Sequence, residues 1–205
     1  MTVIIASTPV SKKITSNQER LEAIFHTVDT IKSDLNKCGM RLQVCRGFTG
    51  ISPFSSSAGS FTCIYGLADE PLMEIAVNGQ LGLKIAANEF FKSGRAVLIY
   101  DLASQAWEMN EIRDRQNGIL ILKNPLHNDY PLNSIVVALK KVEYRFYPAQ
   151  RVLKRKADKK NFQPLLEDVS DFYVTFFPDA NSVLYRIEVN KKEQIRGYIF
   201  LLNLV

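Results

Sequence analysis

Apolar residues recur every three or four positions near the start of the chain, at Leu21, Ile24, Val28, Ile31 and Leu35. That spacing gathers them on one stripe of an amphipathic helix over residues 16–38. Phe25 widens the stripe, while Glu22, Asp29, Ser33 and Asn36 occupy the opposite face. Ser16 and Glu19 stand three apart, as in a capping box, where the hydroxyl accepts from a backbone N–H and the carboxylate reaches back. Gly39 sits where a left-handed residue would end the helix, and Lys37 suits the negative end of the helix dipole. A stripe of this length needs an apolar partner, most simply a sheet.

Beyond residue 40 the pattern shortens. Residues 42–44, 61–65, 73–77 and 83–86 read as strands, and 47–60, rich in glycine and serine, reads as a loop. Ala96, Val97, Leu98, Ile99 and Tyr100 form an unbroken apolar run, the mark of a strand covered on both faces. Strands over 107–112 and 119–122 flank Asn117 and Gly118, a turn pair that tolerates positive φ. Further strands fall at 135–139, 142–147 and 152–155, then a hairpin joins 172–177 to 183–189, and a last strand covers 198–202. One helix followed by runs of short, mostly antiparallel strands predicts an α+β fold.

Composition changes this picture little. The chain has 205 residues, 46% hydrophobic and 23% charged, as in ordinary globular proteins. No window holds the ~20 apolar residues of a membrane helix; Val3, Ile4, Ile5 and Ala6 make only a short apolar start. Cys38, Cys45 and Cys63 fit no metal spacing. A turn at Gly39 would let Cys38 and Cys45 pair as a disulfide in an oxidising compartment, and three buried thiols are the other reading.

The formal charge is +5, with 26 basic and 21 acidic residues. The densest basic run is Arg151, Lys154, Arg155, Lys156, Lys159 and Lys160. Its alternating start reads as the polar face of a strand running into a hairpin tip. The alternative is a nucleic-acid or anionic-ligand binding module using residues 151–160. Glu167, Asp168 and Asp171 read as turn or capping residues ahead of a strand. His26 and His127 have no partner at a metal-ligand spacing, and neither a nucleophile elbow nor a phosphate loop is present. The expectation is therefore no enzyme, no cofactor and no metal.

The order of segments resembles a known family. Asp34-Leu35 followed by Gly39-Met40, the stretch from Phe91 through Gly94 to Asp101, Val142 to Tyr147 with Leu153 to Arg155, and Gln163 to Phe172 are similar in order to motifs of the PilW/GspJ-like prepilins. These are the minor pilins of type IV pili and the minor pseudopilins of type II secretion. The resemblance implies a pilin-like α+β fold, with a long N-terminal helix on one or two antiparallel sheets. It implies residues 1–15 as a remnant or linker after a missing membrane segment and 16–205 as the globular domain. It further implies an assembly subunit that starts or caps a filament in the cell envelope. Its partners would be other minor pilins or pseudopilins and the major pilin, with no nucleic acid. Membrane attachment would come only through the missing helix. Leu21, Ile24, Val28, Ile31 and Leu35 would then be the helix seam, as core or as subunit contact.

Overall fold

A computed structural model describes residues 9–204 except Ala87, and side chains from residue 17 onward; the apolar start at Val3 to Ala6 lies outside the described residues. The helix α1 spans Pro9–Lys37. It therefore begins well before Ser16, which stands inside it and not at its start. Proline at a first helical position loses no hydrogen bond and has its φ already set. The helix stops where expected. Gly39 adopts φ 78°, and its N–H donates to Ile64 O at 2.9 Å.

Gly39 also brings the end of the chain close. A Cβ there would lie 2.6 Å from the Asn203 carbonyl oxygen and 2.7 Å from Leu204 Cδ2. Backbone cannot move aside as a side-chain tip can, and a left-handed residue with a Cβ costs about 1–2 kcal/mol by itself. Gly39→Ala is expected to lower stability by about 2 kcal/mol or more in urea unfolding. A loss below about 0.5 kcal/mol, the usual range for a surface change, would refute this account of the helix end.

After α1 come a short helix α2 (Arg46–Thr49) and twelve strands: β1 (Phe54–Ser57), β2 (Ser60–Pro71), β3 (Gly82–Lys84), β4 (Ala96–Tyr100), β5 (Trp107–Gln116), β6 (Ile119–Leu122), β7 (Ile135–Tyr147), β8 (Val152–Ala157), β9 (Gln163–Leu166), β10 (Val169–Phe177), β11 (Ser182–Val189) and β12 (Glu193–Phe200). Nine form one sheet in the order β1-β2-β7-β4-β5-β6-β3, with β8 on β7 and β9 on β8. The long strand β7 organises it. One flank pairs with β2, and the other is shared end to end between β4 and β8. The remaining three strands form a second antiparallel sheet, β10-β11-β12.

Three apolar clusters hold these layers. The largest contains Ile24, Ile31 and Leu35 of α1, Phe61 and Tyr144 of the large sheet, and Phe172, Tyr185 and Ile187 of the small one. The second lies under Leu83, Val97, Ile99, Ile112 and Tyr130. The third joins Leu98, Tyr100, Val137 and Leu139 to Leu42 and Cys45. Strand β4 thus contributes alternate residues to two clusters, which is why its sequence shows no polar face.

The pilin-like α+β fold expected from the sequence is corrected. Strand accounts for 48% of the chain and helix for 18%, in predominantly antiparallel sheets. Among the described residues, two of the three clusters contain none from α1, so sheet and loop packing builds most of the body. Local expectations change as well. Residues 42–44 fold into turns and 73–77 into an irregular segment held by the bridge between Ala76 and Tyr130. The expected serine loop instead contains β1, a four-residue strand at the rim.

The cysteines are free and buried. Cys38 lies in the helix cluster, and Cys45, at the start of α2, in the third. Cys38 faces Cys63, and burial first, then this neighbour, pushes the Cys63 thiol well above its usual range. The apolar surroundings, not a cross-link, account for these positions.

Candidate functional site

The helix stripe divides in the structure. Ile24, Ile31 and Leu35 are core residues, whereas Val28 is half-buried and Leu21 stays 47% exposed. Phe25 beside it is 65% exposed. Among the residues with described side chains, Arg20 already pairs with Glu193 of β12, while Leu21 and Phe25 face away from the sheets.

The basic run does not form one patch. Successive β8 residues point to opposite faces, and the flanking turns carry the rest elsewhere. Arg151 bonds Asn190, and Lys159 pairs with Glu111. Lys154 lies over the Tyr147 ring at 4.6 Å and Lys156 over Phe162 at 5.5 Å. Arg155 and Lys160 meet in a cleft of about 690 Å³ between α1 and the β8–β9 ribbon, joined there by Lys37 and Lys140.

Asp34 forms the floor of that cleft and is 4% exposed. One carboxylate oxygen accepts from the Tyr144 hydroxyl at 2.6 Å and from Arg155 Nε at 2.8 Å. The other lies 3.5 Å from the Tyr65 hydroxyl. Burial, reinforced by this carboxylate, pushes the Tyr144 phenol far above its usual value. Burial works against the charge on Arg155, but Asp34 outweighs it and holds the guanidinium protonated. Burial also lowers the Lys140 amine, helped by the positive charge of Arg155. The α1 stripe alone carried a signal for this centre. Asp34 follows Ile31 by three, so it falls on the apolar side of the helix, where an unpaired carboxylate is costly.

A second feature is the outer face of β10-β11-β12. The register sets Arg186 between Tyr173 and Arg196, and Leu184 between Thr175 and Tyr198. Tyr198 is 52% and Phe200 56% exposed, with their rings 5.2 Å apart. Phe177 packs near Tyr198 at 6.4 Å. Sequence reasoning missed this face because the alternating residues read equally well as core.

The sheet edges differ in protection. β1 is short and mostly serine, β3 has three residues, β9 contains Pro164, and β10 carries a register shift at Val169/Asp171. β12 has none of these features. All eight of its residues pair in unbroken register with β11, and it ends the sheet order. Natural edges are usually blunted, because open backbone groups invite another strand.

No family model matches the chain, and no curated protein matches it either. The expected membership in the prepilin family is accordingly corrected, together with the fold it implied. Among the described residues, no helix is long and apolar enough to cross a membrane, which says nothing of spanning by strands.

Proposed function

We propose that the protein is an assembly subunit that acts by binding, not by catalysis, and that it joins a second copy of itself edge to edge through β12. The eight-residue terminal strand, proline-free and in unbroken register, carries this reading. Strand addition would give main-chain hydrogen bonds to both copies and extend the aromatic outer face into one surface.

The chemistry of β12 supports a second copy as the occupant. Antiparallel self-pairing about Gly197 sets Arg196 opposite the second copy's Tyr198, and Ile195 opposite its Ile199. Each contact occurs twice, as two-fold symmetry requires, and no like charges meet. Among the described residues Arg196 has no carboxylate partner, only Gln194 at 2.6 Å.

Light scattering across a concentration series tests this. The mass is expected to rise from monomer to dimer, and Tyr198→Lys or Tyr198→Arg, each of which sets a like charge against the second copy's Arg196 twice over, should abolish the rise while leaving the circular dichroism spectrum unchanged. A mass that remains monomeric throughout overturns the proposal. So does a dimer that survives both substitutions.

A further inference from the structure

The cleft beside Asp34 holds more positive charge than its own fold uses. Lys37, Lys140, Arg155 and Lys160 line it against two carboxylates, Asp29 and Asp34. Asp34 is already committed to Tyr144, Tyr65 and Arg155. Arg155 bonds that network through its Nε, its side chain is 24% exposed, and it lines the cleft. Lys140 lies 5.8 Å from the Tyr65 ring centre and, among the described residues, has no carboxylate in ion-pair contact. Lys37 bonds the Ser33 hydroxyl at 3.1 Å. Like charges gathered this way repel one another, and a dianion placed among them relieves the repulsion.

We infer that this cleft binds a soluble phosphate ester with a small polar body, its phosphate held by Lys37, Lys140, Lys160 and the open side of the Arg155 guanidinium. The geometry has three parts. Asp34 fixes the guanidinium plane, so Arg155 presents its fork without losing rotamer freedom on binding. The three lysines add mobile point charges around it. Asn161, Gln163 and Thr30 line the walls together with Asp29, and they supply donors and acceptors for hydroxyl groups on the ester. A volume of about 690 Å³ lies in the range of small-molecule pockets. The concave site between helix and ribbon suits a compact ester rather than a flat membrane surface.

Calorimetric titration with glucose 6-phosphate tests the assignment, with glucose and inorganic phosphate as comparison probes. Glucose 6-phosphate is expected to bind and glucose to give no heat, with inorganic phosphate weaker than the ester. Lys140→Met keeps the aliphatic stem over Tyr65 and removes one charged hydrogen bond, so its Kd should rise at least about tenfold. Lys37→Met is a second variant, exposed at the helix surface, that should act in the same direction. Lys123→Met, a charge loss outside the cleft, should change the Kd by less than about twofold, and Tyr198→Lys should leave it unchanged. No heat with the ester, or an equal loss from Lys123→Met, overturns the site. Inorganic phosphate binding as tightly as the ester overturns the ester assignment. Binding only to vesicles containing phosphatidic acid overturns the soluble ligand.

Discussion

Asp34→Ala is expected to cost about 3–5 kcal/mol of folding stability, the largest loss from any single substitution considered for this chain. The carboxylate is nearly sealed from water and accepts two short hydrogen bonds, one of them from a guanidinium. Removing it leaves the Arg155 charge and the Tyr144 hydroxyl facing a small void. A buried polar group without its partner loses its hydration with nothing in exchange. The expected readout is a lower urea midpoint at unchanged m-value, since the surface exposed on unfolding hardly changes. Asp34→Asn keeps the shape and one acceptor oxygen but not the charge, so its loss should be smaller. Asp34→Ala combined with Arg155→Met should recover part of the loss by removing the stranded charge. If the double variant is as unstable as the sum of the two single ones, the pair does not act as a unit.

Gly197→Ala comes next, at about 3 kcal/mol. In most strands this exchange stabilises, because glycine costs about 0.5–1 kcal/mol in a strand interior. Here the sign reverses. A Cβ on Gly197 would fall on the Tyr185 ring, directly opposite it in the β11–β12 register. Tyr185 is wholly buried between the small sheet and α1, so the ring has nowhere to go. The variant must shift β12 or force Tyr185 out of the core. Thermal unfolding of dilute protein reads the loss apart from self-association. Gly197→Ala with Tyr185→Leu should regain stability relative to Gly197→Ala alone. A neutral or stabilising Gly197→Ala would refute the close packing of ring and backbone.

These two positions show how far the sequence could be read. The α1 stripe was legible because burial on one helix face leaves a three-to-four periodicity, and Ile24, Ile31 and Leu35 are core residues. The stop at Gly39, the turn at Asn117 and Gly118, and the doubly covered β4 were legible for the same reason: each is a local rule. Asn117 and Gly118 adopt φ of 48° and 80°. The expected strand at 73–77 failed because alternation alone does not supply a neighbour: the segment touches β3 at Met73 and Tyr130 at Ala76 but pairs with neither continuously. Leu21 failed as a core position because Arg20 beside it, not Leu21, faces β12, where it pairs with Glu193.

The basic run shows why the candidate site was less legible than the fold. Six cations close in sequence suggested one patch, but strand alternation and two turns scatter them over several surfaces. Arg155 acquires its role from Asp34, 121 positions away, and Lys140 joins it from a third element. The prepilin resemblance rested on short motifs in shared order, each of them satisfied by ordinary strand and turn chemistry.

By itself the sequence determined where the chain turns, which segments alternate, and which helix face is apolar, since these follow from backbone sterics and the periods of helix and strand. Only the tertiary structure decided which strand became the open edge, which cations share a cleft, and which carboxylate lies beneath them. Those outcomes depend on strand order and on contacts between residues far apart in the chain, and no local pattern encodes either.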